Sequence, residues 1–330
     1  MEDMPTSLLG VPGPGFTLLP AKPSPGPDSA APWAYGESVS NTDKTPPLGL
    51  QDFFGGSQER TTVMLAAFEG WNDAGEAASD AVKFLSMFWE SEKIASLNAD
   101  EYYDFQFTRP VIERLASGER RIKWPTTRIS RAEVPGSNLD IIFVSGVEPS
   151  YKWRAYTAEL IALAKELGVD CIVLAGALLA DVPHTRPIPV TVTCEDSDLR
   201  DDLKVESSHY EGPIGIVGVL AEMAGLADIP AVSLWAAVPH YVGHSPSPKA
   251  QLSLLHRIEE LLQAPLDTRL LTDEADAWER GVDELATEDP EIAAYVRQLE
   301  EAKDTAELPE ASGESIAREF ERYLKRRRRD

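Results

Sequence analysis

The chain has 330 residues, 43% of them hydrophobic, and a formal net charge of −24. That apolar content is ample for a buried core, whereas so acidic a chain repels phosphate backbones and anionic lipid, so neither nucleic acid nor a membrane surface is an expected partner. No run of about 18 apolar residues occurs, which predicts no membrane span, and the acidic, proline-broken start Met1-Glu2-Asp3 predicts no signal peptide, leaving the cytoplasm as the expected location.

Residues 1–58 hold ten of the 25 prolines. Runs such as Pro-Ser-Pro-Gly-Pro cannot form a packed element, so this stretch reads as a disordered arm. Residues 59–250 then alternate strand-like and helix-like segments. Thr62 to Phe68 is a short apolar run suited to a strand covered on both faces. From Asp73 to Trp89 the spacing of Ala77, Ala81, Phe84, Leu85 and Phe88 predicts a helix, with Asp73 as its cap and Glu76 completing a capping box. Shorter polar strands between Lys93 and Glu133 predict an antiparallel extension. Leu139 to Val144 is a second buried strand, followed by a helix from about Tyr151 to Leu167 that Gly168 closes. Val169 to Leu174 is a third buried strand. Ile188 to Thr193 alternates and belongs nearer an edge, Ile214 to Gly225 is helical, and Ala231 to Val238 is a strand again. Strand–helix–strand order predicts an α/β fold, a three-layer α/β/α sandwich around a mainly parallel mixed sheet.

Residues 251–330 change character. Helical spacing recurs over Gln251–Gln263, Asp273–Leu285, Glu291–Lys303 and Glu314–Arg329, with breaks at Pro265, Pro290 and Pro309. Between positions 271 and 314 there are 15 acidic and 3 basic residues. This predicts a C-terminal acidic helical appendage, with Lys325 to Arg329 expected to lie against the acidic helices.

Several patterns bear on chemistry. Gly212, Gly215 and Gly218 open a helix, but neither a dinucleotide nor a P-loop fingerprint is present, so close helix packing is the better reading than a phosphate cradle. His240 and His244 are four apart in a Pro- and Gly-broken loop, where that spacing has no helical meaning, and no further ligands accompany them, so no metal is expected. Cys171 lies in an apolar run and Cys194 ends a strand; neither a disulfide framework nor a redox pair is predicted. No GxSxG elbow occurs. The remaining candidates are Glu69, Asn72 and Asp73 at the end of one strand, His184 and Arg186 after another, His209 and Glu211 before a helix, and His240. Open α/β sheets bind ligands at the carboxyl ends of their strands, and His beside Asp or Glu is the raw material of general acid–base work. Against this, Asp73 can be a helix cap and the prolines around His184 can fix a turn. Trp71, Tyr151, Trp153, Tyr156 and Trp235 are candidate interface aromatics.

Two blocks carry a resemblance. One is Phe68-Glu69-Gly70-Trp71-Asn72-Asp73-Ala74-Gly75-Glu76-Ala77-Ala78. The other runs from Tyr210-Glu211-Gly212-Pro213-Ile214-Gly215-Ile216 through Ser233-Leu234-Trp235-Ala236-Ala237-Val238-Pro239-His240-Tyr241-Val242 to Pro246-Ser247-Pro248-Lys249-Ala250. Together, as ordered motifs over roughly positions 61–264, they resemble the proteasome assembly chaperone family of the second-subunit type, in its actinobacterial branch. The resemblance implies a sandwich similar to nucleoside phosphorylases and some peptidases, no catalytic site and no cofactor. It also implies an ATP-independent chaperone or scaffold that binds protein subunits, proteasome subunits among them, and a homo-oligomer. Archaeal relatives carry a C-terminal hydrophobic-Tyr-any residue tail that docks on the proteasome ring; this sequence ends Arg328-Arg329-Asp330 and departs from it. The alternative reading is a small-molecule hydrolase or phosphorylase-like enzyme at the carboxyl edge of the sheet.

Overall fold

The computed structural model describes residues 49–55, 60–242 and 246–307. In chain order these form α1 (Leu50–Phe54), β1 (Thr61–Glu69), α2 (Ala77–Phe88), β2 (Glu92–Ser96), α3 (Ala99–Tyr102), β3 (Val111–Arg114), β4 (Arg120–Lys123), β5 (Arg128–Glu133), β6 (Leu139–Val147), α4 (Trp153–Glu166), β7 (Cys171–Ala180), β8 (Val190–Cys194), α5 (Ser197–Leu203), α6 (Ile216–Gly225), β9 (Ala231–Pro239), α7 (Pro248–Leu262), α8 (Arg269–Glu288) and α9 (Pro290–Glu307). Seven strands make one sheet in the order β2-β5-β6-β1-β7-β9-β8, and β3 and β4 pair separately. The central β6, β1, β7 and β9 run parallel, and the flanking strands are antiparallel.

Two-residue alternation divides the core. Along β1, Val63, Leu65 and Ala67 point into a layer shared with α2 and α7, while Met64, Ala66 and Phe68 point into one shared with α4 and α6. Strands β6 and β7 divide in the same way, as a sheet covered on both faces requires. The expected three-layer α/β/α sandwich is therefore present, with helices beyond it at the C-terminal side.

Three boundaries differ from the sequence reading. Residues 49–55 fall in the stretch read as an arm, yet they form α1, whose Leu50 is fully buried in the core. Helix α7 was assigned to the acidic appendage, but Leu254, Leu255 and Ile258 pack in the main core; acidity of the surrounding segment hid an apolar face. The capping box is also absent. Asp73 does cap, but Gly75 (φ 61) and Glu76 (φ 54) take left-handed backbone, and a 3-10 turn precedes α2. Glu76 therefore makes no reciprocal bond, and Asp73 Oδ1 reaches further, accepting from Ala78 N–H (2.8 Å) and Ser79 N–H (3.1 Å). The expected arm at positions 1–48, His244, the helix Glu314–Arg329 and the basic run Lys325–Arg329 lie outside the described residues.

Candidate functional site

The carboxyl ends of β1, β6 and β7 meet the start of α6 around a side chain that the sequence reading missed, Glu148. Its backbone N–H donates to the Glu69 carbonyl (2.8 Å), and Tyr103 Oη–H donates to the adjacent Val147 carbonyl (3.0 Å), so the end of β6 is held in place. Glu148 Oε1 then accepts from Asn72 Nδ2–H (2.8 Å) and from Ile216 N–H (2.8 Å), the first turn of α6. A helix N-terminus is a ready anion site, and here a carboxylate of the same chain fills it. Asn72 is 3% exposed and its carbonyl accepts from Ala177 N–H (2.8 Å). Gly215 closes the arrangement, because a Cβ there would overlap the Asn72 side-chain amide. Close packing of α6 on the strand ends thus explains Gly215, whereas a Cβ at Gly212 or Gly218 would meet the nearby Tyr210 or Ile214 side chain.

Asp73 is 7% exposed; Oδ1 caps α2, while Oδ2 is buried with no hydrogen-bond partner among the described residues. Burial raises its pKa above the usual carboxylate range, opposed by the hydrogen bonds from Ser79 and Ala78. Glu69 and Trp71 flank this corner at the surface, and Trp71 is 68% exposed.

His184 and Arg186 do a different job. His184 is fully buried; its N–H donates to Tyr241 Oη (2.8 Å), its Nδ1 lies 2.8 Å from the same oxygen, and its Nε2 lies 3.0 Å from Asp283 Oδ1 on α8. The arrangement that satisfies all three has Tyr241 Oη–H donating to Nδ1 and Nε2–H donating to Asp283. Burial pushes the Tyr241 hydroxyl up to about 12, which keeps that proton in place. Arg186 donates from Nε and Nη2 to the two Asp304 oxygens (2.8 Å each) and sits 3.4 Å from Glu300, both on α9. Its guanidinium holds the Asp304 carboxyl below the usual range. Lys249 bridges the His184 carbonyl and Glu279. His240 Nδ1 lies 3.2 Å from Asp181 Oδ1, which also accepts from Tyr295 Oη–H (2.9 Å). These residues fasten α8 and α9 to the loop after β7. His209 and Glu211 are exposed on the loop before α6.

The predicted cluster therefore resolves into two networks and an exposed loop, with Asn72–Glu148 as the hub of one and His184 of the other. Cys171 and Cys194 are both buried and free, and burial lifts the first thiol well above its ordinary pKa and the second to about 11. Among the described residues no group of three or more His, Cys, Asp or Glu is placed to hold a metal ion, and no helix is long and apolar enough to cross a membrane. Of the candidate interface aromatics, Tyr156 is fully buried while Trp71 and Tyr151 are exposed.

Comparison with known proteins gives a consistent result. A family model for the PAC2 family matches residues 67–286. A solved PAC2 family protein from Streptomyces avermitilis is 52% identical, with a TM-score of 0.68 over 71% of this chain and 99% of that one. A proteasome-assembly chaperone homologue from Mycobacterium tuberculosis is 46% identical, with a TM-score of 0.65 over 71% of this chain and 99% of that one. An archaeal proteasome activator from Pyrococcus furiosus shares the fold at 17% identity, with a TM-score of 0.55 over 69% of this chain and 94% of that one. Comparison with curated proteins found no match.

Proposed function

The chain belongs to the PAC2 family, and from that membership we propose that it is a non-catalytic, ATP-independent chaperone or scaffold that binds partner protein subunits. The observation that carries this reading is the closed carboxyl edge. Where related architectures receive a ligand, the N-terminus of α6 is already filled by Glu148, and Glu148 is held in turn by Asn72. Exposed Trp71 stands beside that hub, an aromatic of the kind that anchors protein contacts. The description of the Mycobacterium tuberculosis relative as a proteasome-assembly chaperone homologue supports proteasome subunits as the partner. The protein works in the cytoplasm without a cofactor.

Affinity capture from the native cell tests this reading. Proteasome subunits co-purify with the wild-type chain, and Trp71→Ala loses most of them while keeping its melting temperature. Capture of none, together with turnover of a glycosidic or amide substrate that Asp73→Asn abolishes, would instead establish the alternative of a small-molecule hydrolase or phosphorylase-like enzyme. One feature favours that alternative: a buried Asp73 carboxyl with a raised pKa at a strand end, a property shared by many catalytic acids.

A further inference from the structure

Two exposed features have no account in the packing of the described residues. The first is the β3–β4 hairpin, which among the described residues pairs with no other strand. Val111, Ile112, Ile122 and neighbouring Trp124 are all exposed, and so is every residue of β4. A lone two-stranded ribbon buries too little to be stable in water and needs a cover. Its charge is unlike that of the chain: positions 107–124 carry five basic and two acidic residues, a surplus of three positive charges in a chain of −24. One of the two acids, Glu113, is neutralised within the hairpin by Arg121 and Lys123.

The second feature is the outer face of α8. Leu270, Glu274, Ala277, Gly281 and Leu285 recur at helical spacing and are all exposed, Leu270 at 81%. Gly281 lies in the interior of a 20-residue helix, where glycine is unfavourable relative to alanine. A Cβ there would meet nothing within 4 Å, so packing among the described residues does not call for a glycine, whereas a closely approaching backbone from another copy would. Positions 269–307 carry 13 acidic and four basic residues.

We propose that the β3–β4 hairpin of one copy lies across the outer face of α8 of a second copy. The apolar hairpin side chains meet Leu270 and Leu285, the ribbon backbone passes over Ala277 and Gly281, and Arg109 and Arg120 face Glu274 and Glu288. Charge selects the partner: the hairpin is a positive, apolar element and α8 a negative, apolar-striped one, on the same chain. The contact is either reciprocal in a two-fold dimer, hairpin to helix and helix to hairpin, or head to tail, each copy giving its hairpin to one neighbour and its helix to another in an assembly that closes as a ring if the rotation permits. The inference is independent of what the family fold binds at the sheet edge.

Sedimentation velocity of the full chain at micromolar concentration is the test, with circular dichroism confirming the fold of each variant. Wild type sediments as an oligomer. Arg109→Glu/Arg120→Glu sediments as a monomer, and so does Glu274→Lys/Glu288→Lys. Mixing these two variants restores association, because a negative hairpin then meets a basic helix and a positive hairpin meets an acidic one. Gly281→Gln keeps or raises the melting temperature, since Gln is the better helix former, yet loses association. Leu285→Gln gives the same loss without touching the helix backbone. A monomeric wild type, an oligomer that Gly281→Gln and Leu285→Gln leave intact, or a charge-reversed mixture that stays monomeric would overturn the proposal.

Discussion

Asp73 is the clearest case of one side chain with two opposed energies. Its Oδ1 satisfies two amides at the start of α2, while its Oδ2 is buried without a partner. Removing the cap by Asp73→Ala costs about 1 kcal/mol. The pKa is raised by burial, so the protonated form is the one the fold favours; that contribution is complete at low pH and is lost as pH rises through the folded-state value. Asp73→Asn keeps an oxygen acceptor and mimics the protonated form. Urea denaturation from acid to neutral pH is therefore expected to show the Asn variant gaining on wild type as pH rises, and a constant gap would contradict the burial account. Glu148 makes the opposite statement. In Glu148→Ala the buried Asn72 amide and the Ile216 N–H lose their acceptor, at about 1–3 kcal/mol. Because the vacated position is a helix N-terminus, phosphate is expected to raise the melting temperature of that variant more than that of wild type. Equal phosphate shifts in the two would show that Glu148 does not occupy an anion position.

At the scale of elements, α8 and α9 are held by polar contacts as well as by buried apolar groups. The buried apolar groups on α8 are Leu271, Ala275, Val282 and Ala286, and the polar fastening runs through His184–Asp283 and Arg186–Asp304 from the loop after β7 and Lys249–Glu279 from α7. His184–Asp283 is a hydrogen bond of a buried imidazole, whereas Arg186–Asp304 is a surface ion pair, individually weak and screened by salt. Asp304 is depressed by Arg186, so its contribution is present above the unfolded-state pKa of about 3.9 and is lost as pH falls through the lower folded value. Hydrogen exchange of α9, corrected for intrinsic rates, is expected to show protection that falls at high salt and again below about pH 4. Unchanged protection under both conditions would mean that Val296 and Leu299, the buried apolar residues of α9, hold the helix alone.

For the whole molecule, the most consequential difference from the sequence reading is where packing begins. Leu50 of α1 is fully buried, and Gln51 Nε2–H donates to the Leu262 carbonyl at the end of α7. A chain starting at residue 59 should therefore be less stable than one starting at residue 49 by about 2–3 kcal/mol, the burial of one leucine; matching chemical-denaturation midpoints would show that α1 adds nothing. The same reasoning explains α7. Its acidic neighbours dominate composition over a long window, but a four-residue apolar spacing is enough to place one face in the sandwich.

How much could be read directly from the sequence follows from the range of the interactions involved. The buried strands β1, β6, β7 and β9, their intervening helices, the left-handed close at Gly168 (φ 65) and the edge position of β8 were legible, because alternation, apolar runs and helix-ending glycines are local signals. The motif blocks around Trp71 and Pro239 were legible for the same reason, and they carried the family. The site was legible only as a set of residue types. Glu148 carries no local mark beyond following a buried strand, yet strand order β6-β1-β7 puts it beside Asn72 and the first amide of α6. His184 and Arg186 sit near polar residues in sequence, but their partners lie 99 and 118 residues away on α8 and α9. Local chemistry determined which elements form and which residues could act. Tertiary structure alone decided which charges meet, because the energy of a carboxylate at a helix end or a buried imidazole depends on groups that the chain brings together only when it folds.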